Sequence, residues 1–240
     1  KIETPETVDL LPADHGRIPD WWLDAYSAET GAGRNISGWL WKDDGLSARA
    51  KPVKQSGGPY EETLLVFPRP LAASTETVRF EFFDEADAGA AAKGSDPIGA
   101  DRAGVHVALG RIAFVLTDAG VRMHPITAGP QDRLDLATDA LIDEPANRRG
   151  PDVLDLSSGT WRTVELTVTA ADPADGAKPD TATLKLDGEA IYERPIAPAN
   201  RRTLGLFRWS SDRPVRVRNV TLTGDWADVP PAAALNEPGE

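Results

Sequence analysis

Apolar and polar residues alternate with a period of two over much of this chain. In Thr77–Asp84, Val78, Phe80 and Phe82 share one side and Arg79, Glu81 and Phe83 the other. In Gly159–Ala170, Val164, Leu166 and Val168 oppose Trp161, Thr163, Glu165 and Thr167. That period belongs to strands with one dry and one wet face. Gly104–Leu109, Arg111–Thr117 and Val121–Pro125 read as three consecutive strands, turned at Asp118-Ala119-Gly120. Asp44-Gly45 and Asp187-Gly188 mark two hairpins. Near the end, Leu204–Trp209 and Val215–Leu222 flank the polar Ser210–Pro214, which predicts a closing hairpin. The phase slips at Arg218-Asn219, as a bulge would make it slip.

About a dozen short strands, hardly any helix and no strand–helix alternation predict an all-β fold, a two-sheet antiparallel sandwich of the jelly-roll type. The expected organisation is an extended N-terminal arm over 1–18, one domain over 19–226 and a Pro-rich tail over 227–240. With 240 residues, 40% of them hydrophobic, one such domain buries a sizeable core. A net charge of −12 repels a phosphate backbone and argues against nucleic acid as a partner. No apolar run reaches membrane-spanning length. Cysteine is absent, which excludes disulfides and thiolate chemistry. The chain opens on Lys1-Ile2-Glu3 without a signal peptide, which reads as a mature protein or a piece of a longer one.

Trp161–Arg194, with a tryptophan opening one strand and a Leu-Asp-Gly turn leading to the next, resembles concanavalin A-like jelly rolls of the laminin-G and lectin/glucanase type. Leu64–Leu71, Phe80-Glu81-Phe82-Phe83, the run Glu-Pro-Ala-Asn-Arg-Arg-Gly-Pro at 144–151, Thr203–Trp209 and Arg216–Trp226 resemble a narrower planctomycete family described as a domain of unknown function. The likeness covers Pro19 to Trp226. It implies the fold and a bacterial extracytoplasmic setting, and it carries no activity. A more distant likeness is to 3-keto-glycoside hydrolases, which end in a similar Arg-Asn-Val strand. The chain shows no counterpart of their catalytic cluster and lacks the glucanase carboxylate signature. Its nearest string, Glu81-Phe82-Phe83-Asp84-Glu85, does not put its acids on one face. Calcium is the common ion of this fold class, and Asp225 is the candidate ligand for it.

Sugars offer an apolar CH face to aromatic rings and hydroxyls to Asp, Asn, Arg and His. Seven tryptophans supply candidates, and Trp209, Phe83, Tyr60 and one of Trp21 and Trp22 are the expected platforms. The competing use is core packing, expected above all for Trp161 and Trp226. His106, Arg122 and His124 fall on the polar side of neighbouring strands. If that side is concave they gather with Glu81 as an acid/base or metal-binding set; otherwise they line a solvated face. Asn147, Arg148 and Arg149 either grip a sulfated or carboxylated sugar or pin their own loop to the sandwich. Arg208, Arg213, Arg216 and Arg218 form a basic strip suited to cross-strand pairing with Asp and Glu.

These features select a carbohydrate-binding, lectin-like jelly roll that holds a polysaccharide or oligosaccharide on its concave sheet. Trp209, Phe83, Arg122 and His124 form the expected surface, with Tyr60, Asn147 and Arg148 as further ligand-binding residues. A glycoside hydrolase or polysaccharide lyase using Glu81, His106 and His124 is the alternative. A structural module packed on other domains of a longer polypeptide is the third, because the Pro-rich ends read as linkers.

Overall fold

The computed structural model describes residues 6–12, 16–26, 28–29, 35–36, 39–43, 45–48, 63–71, 76–85, 103–128, 134–135, 141–157, 159–171, 178–208 and 215–224. Its strands are β1 (Glu6–Asp9), β2 (Leu23–Tyr26), β3 (Ala28–Glu29), β4 (Asn35–Ile36), β5 (Trp39–Lys42), β6 (Gly45–Ala48), β7 (Thr63–Pro70), β8 (Glu76–Asp84) and β9 (His106–Leu109). Then follow β10 (Ile112–Thr117), β11 (Gly120–Pro125), β12 (Thr127–Ala128), β13 (Leu134–Asp135), β14 (Trp161–Thr169), β15 (Thr181–Leu186), β16 (Glu189–Pro195), β17 (Thr203–Arg208) and β18 (Val215–Gly224). A single 3-10 turn, Pro145–Asn147, is the one helical element among the described residues.

The strands make two large antiparallel sheets. One runs β16-β15-β14-β8-β18-β6-β5, with β1 also on β18; the other runs β11-β10-β9-β17-β7-β2. The alternation is the reason they stack. β8 buries Val78, Phe80 and Phe82, β14 buries Val164, Leu166 and Val168, and both rows join Val107, Leu109, Phe114, Leu204 and Leu206 of the six-stranded sheet in one core. The chain is therefore an all-β, two-sheet antiparallel sandwich of the jelly-roll type.

Both hairpins form, although in the first Gly45 already opens the second strand instead of lying in the turn. β15 and β16 close with Leu186 opposite Glu189, and Asp187 and Gly188 both take positive φ, 49° and 85°. β5 and β6 close with Lys42 opposite Gly45. A side chain at Gly45 would lie 2.3 Å from the Val217 carbonyl oxygen, so the close approach of β6 to β18 requires glycine.

The closing hairpin does not form. β17 pairs with β7 and β9 in one sheet, whereas β18 pairs with β8, β6 and β1 in the other. Burial explains the separation. β17 is apolar on both sides, with Leu204 and Leu206 in the main core and Phe207 in a second cluster on the outer side. β18 alternates and leaves one side open. A strand dry on both faces belongs in the middle of a covered sheet.

The N-terminal segment does more than lie along the surface. β1 joins β18, and Leu10 and Leu11 enter the core. The Leu10 carbonyl accepts from the indole nitrogens of Trp22 (2.8 Å) and Trp21 (3.2 Å). Trp22 is buried and Trp21 half-buried. Buried Glu76 receives both arms of Arg69, at 2.8 and 3.1 Å, and so ties β8 to β7 across the two sheets.

Candidate functional site

Two distinct places gather the expected residues. The first is the outer face of the eight-stranded sheet. There Arg216, Phe83 and Trp161 lie side by side across β18, β8 and β14, and Arg218, Glu81 and Thr163 form the next row. The rings of Phe83 and Trp161 meet at 5.3 Å and 48°. The Arg216 guanidinium lies 4.6 Å from the Phe83 centroid, and that of Arg218 lies 3.8 Å from the Trp161 centroid. Both arginines also meet carboxylates: Arg216 Nε is 2.7 Å from Glu85 Oε1, and Arg218 Nε donates to Glu81 Oε2 at 2.9 Å.

The bulge read from the sequence builds this patch. The β8–β18 register shifts between Arg218 and Thr221, and Asn219 takes φ 52°. The extra residue turns Arg218 and Asn219 toward the same oxygen, with Asn219 Nδ2 donating to Glu81 Oε2 at 3.0 Å. One row further along, Arg79 sits 3.6 Å from Glu81 and 3.8 Å from Glu165. The result is a surface on which half-buried rings lie beside hydrogen-bonding groups. Glu81 and Glu85 are four strand positions apart, roughly 13 Å along the backbone.

The second place is the edge between the sheets, where β11 and β16 face each other. Asp143 is held by Arg122 of β11 and by Arg148. Its neighbour Glu144 accepts from Arg194 Nε (2.9 Å) and NH2 (3.1 Å), from Asn147 Nδ2 (2.7 Å) and from the Tyr192 hydroxyl. Arg149 donates to the carbonyls of Ala146 (2.8 Å) and Arg148 (2.7 Å). Asn147, Arg148 and Arg149 thus fasten their own segment, and through it one edge strand to the other. Burial opposes ionisation of Glu144, but the bonds from Arg194, Tyr192 and Asn147 outweigh it and hold its pKa below the ordinary value. Burial, reinforced by Glu144, pushes the Tyr192 phenol well above its ordinary pKa, so it stays protonated and donating.

His106 and His124 occupy neither place. Both are fully buried on the outer side of the six-stranded sheet, beside Ala108, Ala113 and Phe207 of the second apolar cluster. His106 Nδ1 accepts from the Leu116 amide at 3.1 Å, and its ring lies 6.1 Å from that of Phe207. Glu81 points away from the main core on the other sheet. The whole sandwich separates it from both histidines, so these three groups do not share one site. Phe83 and Arg122 likewise lie on different sheets. Trp209, Tyr60 and Asp225 lie outside the described residues. Among the described residues no group of three His, Cys, Asp or Glu could hold a metal ion.

Trp161, for which the sequence predicts the core or a sheet edge, is half-buried on the outer face. Its position on the same side as Thr163 and Glu165 is visible in the alternation, but its pairing with Phe83 depends on a register that no short-range pattern fixes.

Solved structures of very different sequence superpose on this chain. The exoplasmic/lumenal domain of VIP36, solved in a Ca2+/Man3GlcNAc-bound form, superposes with a TM-score of 0.50 at 9% identity, over 97% of this chain and 95% of that one. The carbohydrate-binding module CBM66 from Bacillus subtilis gives 0.44 at 12% identity, over 84% and 94%. The alginate lyase Aly36B gives 0.45 at 10% identity, over 93% and 98%. No curated protein sequence matches. A family model, that of the domain of unknown function DUF1583_N, matches residues 56–229. Since that match takes in well over half of its length, the chain belongs to the DUF1583_N family.

Proposed function

We propose that this chain is a carbohydrate-binding, lectin-like domain of a bacterial extracytoplasmic protein, and that it holds a polysaccharide on the outer face of the eight-stranded sheet. The observation that carries the reading is the Phe83–Trp161 ring pair, half-buried in an otherwise polar sheet face and rimmed by Arg216, Arg218, Asn219 and Glu81. Half-exposed rings are costly to leave in water, and a pyranose CH face packs on the ring surface that Arg216 and Arg218 leave uncovered while its hydroxyls meet the rim. Support at the level of fold comes from the VIP36 domain, whose Man3GlcNAc-bound form has the same sandwich. The extracytoplasmic setting follows the sequence resemblance.

Affinity electrophoresis through polysaccharide-loaded gels tests the proposal. The protein is retarded by at least one polysaccharide. Phe83→Ala and Trp161→Ala each lose about 1.4 kcal/mol of binding, tenfold in Kd, at unchanged fold by circular dichroism. Retardation that survives both substitutions would place the sugar elsewhere.

A further inference from the structure

We infer that the glycan taken by this patch is neutral, not a uronate or a sulfated sugar. The inference rests on the glycan-binding reading above and deepens it. Arginine draws in a carboxylate or sulfate where its charge is not already matched. Here each guanidinium lies beside a carboxylate. Arg216 meets Glu85 at 2.7 Å, Arg218 meets Glu81 at 2.9 Å, and Arg79 lies between Glu81 at 3.6 Å and Glu165 at 3.8 Å. Three cations face three carboxylates, and the patch has no positive surplus. Arg216 and Arg218 are held a second time by the rings beneath them.

An anionic sugar would bring further negative charge beside Glu81 and Glu85. The wider field adds to that cost, since the chain carries −12 overall. A neutral sugar meets no such penalty. Its hydroxyls are donors, and the carboxylates of Glu81 and Glu85 are acceptors with lone pairs beyond those given to arginine. Its CH face needs only the ring surface that the two arginines leave uncovered.

Calorimetric titration with two matched sets of oligosaccharides tests this. One set is neutral (gluco-, xylo- and manno-oligosaccharides); the other is anionic (oligogalacturonate, oligoalginate and a sulfated galactan). Each is run at about 0.05 and 0.5 M salt, a range over which screening changes strongly. The expected result is binding of a neutral oligosaccharide with Kd changing less than about twofold with salt, and anionic ligands at least about tenfold weaker. Tighter binding of an anionic ligand, weakened by salt and by Arg216→Gln, would overturn the inference while leaving glycan binding intact. Binding of neither set, with the fold verified, would overturn the underlying reading and this inference with it.

Discussion

Glu144 joins three partners drawn from two segments of the chain, Asn147 beside it and Tyr192 and Arg194 on β16. Because its folded pKa is depressed, it contributes stability that is fully present above its unfolded value near 4.5 and is lost as pH falls through the lower folded value. Glu144→Gln removes both the charge and the pH term. The variant is expected to lose about 1.5–3 kcal/mol near pH 7 and to show a flatter dependence of Tm between about pH 5 and pH 3. Thermal and denaturant melts of both proteins across that range measure it; parallel curves would mean the carboxylate is not linked to folding. At this scale the sequence is half legible. The Glu-Pro-Ala-Asn-Arg-Arg-Gly-Pro run stands out as specific, and pinning of the loop by its arginines is one of the two uses it suggests. That its leading Glu reaches Tyr192 and Arg194, 48 and 50 residues away, depends on two sheets closing edge to edge. No local pattern encodes that approach.

Among the elements, β18 supplies one side of the site, and its bulge decides where Arg218 and Asn219 point. Asn219 sits at φ 52°, where asparagine and glycine are tolerated and a β-branched residue is strained. Asn219→Val is therefore expected to cost about 1–2 kcal/mol and to weaken glycan binding. Asn219→Gly keeps the backbone and costs only the bond to Glu81, about 0.5–1 kcal/mol. Urea denaturation of the pair separates backbone strain from the lost hydrogen bond; equal losses would mean that the bulge is not under conformational constraint. The phase slip at Arg218-Asn219 made this bulge readable in advance, because a period of two records every inserted residue. The partner of β17 was not readable in the same way. A polar five-residue linker suits a hairpin as well as a passage between sheets, and only the two-sided dryness of Leu204–Phe207 distinguishes them.

For the molecule as a whole, the sandwich follows from alternation summed over many strands, which is why the fold class survives the misplaced hairpin. The site does not follow in that way. Phe83 and Arg122 looked like parts of one surface because both belong to polar strand faces. A sandwich has two outer faces, and alternation alone does not say which strand enters which sheet. Here His106 and His124 fall on a face closed by Leu64, Val115, Ile126 and Phe207, while Phe83 and Glu81 fall on the face left polar. The central claim is that the polar face of the eight-stranded sheet receives the sugar. Titrating the 15N-labelled protein with a bound oligosaccharide tests it most directly. The account predicts shifts at the Trp161 indole and at amides around Phe83, Arg216 and Asn219. Shifts confined to Arg122, His106 and His124 on the opposite sheet would contradict it.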